Sequence, residues 1–101
     1  MIYCFDIDGT ICTNTEGQYD SAKPFPDVIK KVNHLFDRRE TIYFYTARGA
    51  TTGMDWSNLT KEQLKIWGVK YHKLFFGKPT ADLYIDDKCV NIKEWILRCN
   101  E

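Results

Sequence analysis

Four short apolar runs interrupt an otherwise polar chain: Ile2-Tyr3-Cys4-Phe5, Thr41-Ile42-Tyr43-Phe44-Tyr45, Lys73-Leu74-Phe75-Phe76 and Leu83-Tyr84-Ile85. They are rich in β-branched and aromatic residues and too short for helices, so each predicts a strand. Their apolarity is continuous rather than alternating, which predicts strands covered on both faces, as in a parallel sheet. Cys4 accordingly reads as a small core residue. The intervening segments carry helical spacing. Pro26-Asp27 opens one with Val28, Ile29, Val32, Leu35 and Phe36 on a single face. A second starts at Ser57 or Asn58, offers Leu59, Leu64, Ile66 and Trp67, and stops at Gly68. A third begins near Asn91, with Ile92, Trp95, Ile96 and Cys99 as its buried stripe.

Strands alternating with crossover helices predict an α/β fold, a Rossmann-like parallel sheet flanked by helices with right-handed connections. The polar segment at 10–22 reads as a short flap, with Glu16-Gly17 as a hairpin turn. The chain has 101 residues, 44% of them apolar, which fits one domain over 1–101 with an ordinary core. Fourteen basic residues balance fourteen acidic ones, so charge gives no support for a nucleic-acid partner. Cys4, Cys12, Cys89 and Cys99 lack metal-ligand or disulfide-scaffold spacing and read as free thiols. No apolar stretch is long enough to span a membrane, and Met1 to Asp8 lacks a charged leader, so a cytoplasmic protein is expected.

Each apolar run ends in a reactive or anion-binding group: Asp6, then Thr46, then Gly77-Lys78, then Asp86-Asp87. In a parallel sheet the carboxyl ends of the strands share one edge, where open α/β folds bind their ligands. Residues two apart in an extended chain point the same way, so Asp6 and Asp8 face one target while Ile7 turns to the core. Gly9 allows the sharp turn that follows. Clustered carboxylates repel unless a cation joins them, and hard oxygen donors of this kind suit Mg²⁺. The Thr46 hydroxyl and the Lys78 ammonium are placed to hold the oxygens of a phosphoryl group, whose transfer depends largely on positioning and charge neutralisation. The plain alternatives are a surface turn for Asp6-Ile7-Asp8 and a helix cap for Asp86-Asp87.

Asp6-Ile7-Asp8-Gly9-Thr10, Thr46 after its strand, Gly77-Lys78-Pro79 and Tyr84-Ile85-Asp86-Asp87 resemble motifs I to IV of the haloacid dehalogenase (HAD) superfamily, in order and over most of the chain. The resemblance implies a magnesium-dependent phosphatase working through an aspartyl-phosphate. In it, Asp6 matches the nucleophile and Asp8 the general acid and base. Thr46 and Lys78 match the phosphoryl clamp. Asp86 matches a Mg²⁺ ligand beside the Asp6 carboxylate and the Asp8 main-chain carbonyl, and Asp87 is a further candidate. An aspartate at position 8 favours phosphoesters over haloacids, because dehalogenation has no alkoxide to protonate. The short gaps at 11–25 and 49–72 leave no space for a cap domain, so a capless member with an open site is expected, closed if at all by a second copy of the chain.

Specificity then falls to the flap and the loop after Thr46. Arg48 is the foremost candidate for a substrate contact, since its fork suits carboxylate or phosphate, with an ion pair as the alternative. Trp56 reads either as a stacking surface for a substrate ring or as packing, and Asn14 and Tyr19 are lesser candidates in the flap. The expected substrate is a small phosphorylated metabolite, a sugar or polyol phosphate by family analogy. The competing readings are a nucleotide or polynucleotide phosphatase, a phosphotransferase, and a non-catalytic phosphate-sensing domain.

Overall fold

In the computed structural model, residues 1–98 are described, so Cys99 lies outside the described residues. Strands β1 (Ile2–Phe5), β2 (Thr41–Thr46) and β3 (Lys73–Phe76) form a sheet in the order β1-β2-β3. All pairings are parallel, with Phe5 beside Phe44 and Phe44 beside Leu74. Helix α1 (Pro26–Asp37) connects β1 to β2, α2 (Ser57–Ile66) connects β2 to β3, and the short α3 (Ile92–Trp95) follows β3. Strand–helix–strand order is what makes parallel neighbours possible, since a hairpin cannot join them.

Helix α1 carries Pro26 at its start, where a missing N–H costs nothing, and buries Val28, Ile29, Val32 and Leu35. It ends as Arg39 takes a left-handed φ of 69° and Glu40 N–H donates to Leu35 O. Gly68 stops the α2 segment in the same way, at φ 71°, with Val69 N–H donating to Leu64 O. At α3 the Asn91 side chain caps the start by accepting from Lys93 N–H at 2.9 Å. The buried residues of α2 are Thr60, Gln63 and Leu64, whereas Ile66 is exposed. The expected apolar face is therefore rotated toward two polar residues.

The core lies on one face of the sheet. Phe5, Ile42 and Phe44 pack there with the α1 residues, Leu64 and Trp95. Phe5 meets Phe44 at 5.8 Å and the edge of Trp95 at 5.1 Å between ring centroids. The expectation of two covered faces is not met. None of Ile2, Cys4, Tyr43, Tyr45 and Phe75 belongs to the buried core, and Cys4 is exposed. Aromatic rings lend this second face its unbroken apolar signature while shielding one another. Tyr43 meets Phe75 edge-on at 5.3 Å, and the Lys73 ammonium lies 5.9 Å over Tyr43.

The fourth run is not a strand. Leu83, Tyr84 and Ile85 are exposed, Ile85 at 90%, and β1 pairs only with β2 among the described residues. Three apolar residues offer few ladder bonds, and local contacts capture Tyr84 instead. Its hydroxyl donates to Pro79 O, and its ring lies 4.3 Å from the Lys78 ammonium. The flap does form. Cys12 bridges antiparallel to Pro24, Thr13 N–H donates to Lys23 O at 2.9 Å, and the turn places Glu16 at φ 53° and Gly17 at φ 97°. Two successive positive φ values are what a tight hairpin turn demands. No helix among the described residues is long and apolar enough to cross a membrane.

Candidate active site

Because the strands are parallel, the chain leaves β1, β2 and β3 at one edge, and the residues that follow them meet there. Asp6 comes directly after β1, Thr46 closes β2, and Lys78 lies two positions beyond β3. The Lys78 ammonium pairs with Asp6 Oδ2 at 3.7 Å, and Lys78 N–H donates to Thr46 O at 3.2 Å, extending the β2–β3 contact. Thr46 is fully buried, and its hydroxyl oxygen accepts from Arg48 N–H at 3.1 Å. Asp6 is 36% exposed, the most open of the site carboxylates on this edge. Burial pushes its carboxyl above the usual carboxylate range, against the opposing pull of Ile7 N–H and the Lys78 charge, while the Asp8 charge adds to the rise.

Asp8 is held from behind. Arg48 Nε donates to Asp8 Oδ2 at 3.0 Å and Nη2 to Oδ1 at 2.9 Å, a bidentate pair. The other guanidinium nitrogen, Nη1, donates to Thr60 Oγ1 at 3.1 Å and Gln63 Oε1 at 2.6 Å. Tyr19 covers the guanidinium face at 4.8 Å, and Gln63 Nε2 donates to Tyr19 O at 2.6 Å. The Arg48 side chain has 0% exposure. The expected substrate contact by Arg48 is therefore corrected: its fork is spent inside the protein, and it acts as a positioning residue for Asp8. A buried guanidinium requires this complete set of partners, since an unpaired one is costly.

Thr60 and Gln63 escaped sequence reasoning, because isolated polar residues on a helix normally face water. The signal was present in their spacing. Positions 60, 63, 64 and 67 share one helical face, and a polar pair on a buried stripe implies a buried polar partner. Cys12 completes the surroundings of Asp8. Its thiol donates to Asp8 Oδ1 at 3.6 Å, and burial with the Asp8 charge pushes its pKa up to about 12. Gly9 adopts φ 80°, the left-handed turn expected after the acid pair.

The expected magnesium set of Asp6, Asp8, Asp86 and Asp87 is not assembled. Among the described residues, no three His, Cys, Asp or Glu side chains come together as a metal-holding group. Leu83–Ile85 lies outside the sheet, so no fourth strand delivers Asp86 and Asp87 to its edge, and both are exposed. Asp86 Oδ1 accepts Lys88 N–H at 2.9 Å, and that bond, followed by one from Asp87, holds its carboxyl below the usual range. The donors present do not by themselves make a complete magnesium site. Of the lesser candidates, Asn14 accepts from Glu16 N–H within the flap, and Trp56 packs its ring against Tyr19 at 5.0 Å.

Two cavities stand out among the described residues. The larger, about 530 Å³, is lined by Pro24, Pro26, Ile29 and Trp67 and contains none of the site residues. The smaller, about 290 Å³, opens between Arg48–Ser57 and Phe76–Gly77, adjoining Thr46 and Lys78 along the chain. Position relative to the reactive groups makes the smaller one the relevant crevice.

No protein-family model matches this chain, and no curated protein does. Among solved structures, a protein from Vibrio cholerae is 24% identical, covering 98% of this chain and 89% of its own, with a TM-score of 0.86. A D,D-heptose 1,7-bisphosphate phosphatase from B. bronchiseptica, complexed with magnesium and phosphate, is 18% identical at a TM-score of 0.59. That match covers 87% of this chain but only 53% of the phosphatase, so the chain spans about half its length. These are likenesses of fold: the parallel sheet and its helices form an α/β core of the same architecture as those two structures.

Proposed function

We propose that this protein is a phosphomonoesterase that forms an aspartyl-phosphate on Asp6, with a small phosphorylated metabolite as substrate. The observation that carries the reading is the Asp6–Lys78 pair at 3.7 Å beside an Asp8 fixed by a buried arginine. An Asp6 oxygen attacks phosphorus as the ester P–O bond breaks, and the departing alkoxide takes a proton from the protonated form of Asp8, which must first give up one of its two hydrogen bonds from Arg48. Asp8 then takes a proton from water, whose oxygen attacks the aspartyl-phosphate and releases inorganic phosphate. Lys78 offsets charge on the phosphoryl oxygens, and Thr46 fixes the backbone that carries both Arg48 and Lys78. Proton transfer from a positioned carboxyl commonly contributes about 10²–10⁴-fold.

Magnesium belongs to the proposal through the bound magnesium and phosphate of the heptose phosphatase and the hard oxygen donor on Asp6. When bound, it supplies further charge neutralisation. The test is release of phosphate from a panel of sugar, polyol and nucleotide esters with Mg²⁺ present. Activity above an Asp6→Asn control, with a beryllofluoride adduct on Asp6, is the expected result. Absence of both phosphate release and adduct overturns the enzymatic reading and favours a non-catalytic phosphate-sensing domain.

A further inference from the structure

The crevice beside the reactive pair has a definite chemical character. Its walls include Met54, Asp55, Trp56 and Phe76, so it offers an indole, a thioether and a phenyl ring around one carboxylate. Arg48 also borders it, but only with main-chain surface, because its side chain is fully buried against Asp8. The one cation that sequence placed here is unavailable to a ligand. Lys61 lends some charge toward Asp55 but does not line the cavity.

The pocket is formed in advance by its own backbone. Ala50 N–H donates to Ala47 O at 2.9 Å, and Gly53 N–H to Gly49 O at 2.8 Å. Gly49 sits at φ 85°, where a Cβ would come within 2.3 Å of Met54 O, so the loop closes on itself only with glycine there. Asp55 is fixed as well: its Oδ1 accepts from Ser57 N–H at 2.9 Å and from the Ser57 hydroxyl at 2.6 Å, and the residue is exposed. Edge contact with Tyr19 holds the Trp56 ring.

We propose that this crevice seats the leaving group of the substrate, and that the leaving group is an electrically neutral, hydroxyl-bearing ring with one apolar face. The proposal rests on the phosphomonoesterase reading, which places the phosphoryl group at Asp6 and Lys78. The apolar face lies on Trp56, and Asp55 accepts from the hydroxyls. A second phosphate or a carboxylate on the leaving group meets Asp55, and among the described residues lining the crevice no cationic side chain is exposed to offset it. The volume of about 290 Å³ falls at the lower end of ligand pockets, room for one sugar-sized ring.

Three pyranose esters differing in leaving-group charge test this: glucose 6-phosphate, glucose 1,6-bisphosphate and mannose 1,6-bisphosphate. The neutral ester is expected to show about tenfold higher kcat/KM than either anionic one, the scale of one partly screened charge pair. Asp55→Asn is expected to narrow that gap to about threefold or less. Trp56→Ala is expected to raise KM about tenfold at nearly unchanged kcat, with Trp56→Phe recovering most of the loss. A preference for the anionic esters, or no response to Asp55→Asn, overturns the proposal.

A binding measurement separates this from failure of the catalytic reading. In the Asp6→Asn variant, glucose 6-phosphate is expected to shift the Trp56 indole N–H resonance, assigned through Trp56→Phe. A shift without turnover in the unmodified protein upholds the crevice and sinks the phosphatase reading. Turnover without a shift does the reverse, and neither result sinks both.

Discussion

At the residue scale, Asp6 illustrates a conflict between stability and chemistry. Burial raises its folded-state pKa above the ordinary carboxylate value of 3.8, so ionising it works against the fold. The favourable contribution is complete below that ordinary value and is lost as pH rises through the raised one. Asp6→Asn should therefore abolish turnover and yet raise the melting temperature at pH 7. The gain is at most about 1 kcal/mol after solvent screening of a partly exposed group. The difference should close below about pH 3.8 in a thermal-melt series. Arg48 predicts the opposite pattern. Arg48→Ala leaves Asp8, Thr60 and Gln63 without their shared donor and should cost about 3–5 kcal/mol of unfolding free energy, read by urea titration. Arg48→Lys, which keeps the charge but loses the fork, should recover part of the stability and little of the activity. Cys12 gives a third check. With a thiol pKa near 12 it should resist iodoacetamide at pH 8 in the folded protein, while Cys89 reacts, as read by peptide mass spectrometry.

At the scale of elements, the loop between β2 and α2 carries more of the site than its polar composition suggested. It delivers Arg48 inward and Trp56 outward, and Gly49 makes that reversal possible. Gly49→Ala should open the loop, costing about 1–3 kcal/mol through positive φ and the clash with Met54 O. Substrate KM should rise as the melting temperature falls, read by steady-state kinetics and a thermal melt. The flap was legible in sequence because Glu16-Gly17 encodes its turn locally. Its role was not legible: Tyr19 roofs the Arg48 guanidinium, a contact between positions far apart in the chain. The run Leu83-Tyr84-Ile85 failed as a strand for the converse reason. Apolarity marks a segment as able to pair, but pairing is decided by competition, and Lys78 and Pro79 hold Tyr84 where it lies.

For the whole molecule, the parallel order of β1, β2 and β3 brings Asp6, Thr46 and Lys78 to one edge, and the α/β architecture shared with the two solved structures follows from that order. Dialysis against EDTA is expected to reduce phosphate release to the level of Asp6→Asn, with recovery on adding Mg²⁺. Persistence of full activity after chelation would remove the metal from the proposal. The three strands, the helix positions, the Glu16-Gly17 turn and the placing of Asp6, Thr46 and Lys78 after their strands could be read from the chain, because each is written in a local pattern: a short apolar run, a period of 3.6 or turn chemistry. The inward turn of Arg48, the open second face of the sheet, the exclusion of Leu83–Ile85 from it and the failure of Asp6, Asp8 and Asp86 to gather as one metal-holding group among the described residues were decided only by tertiary structure. Each depends on which of several chemically adequate partners a group finds once the chain is folded, and that choice is settled by packing between distant segments.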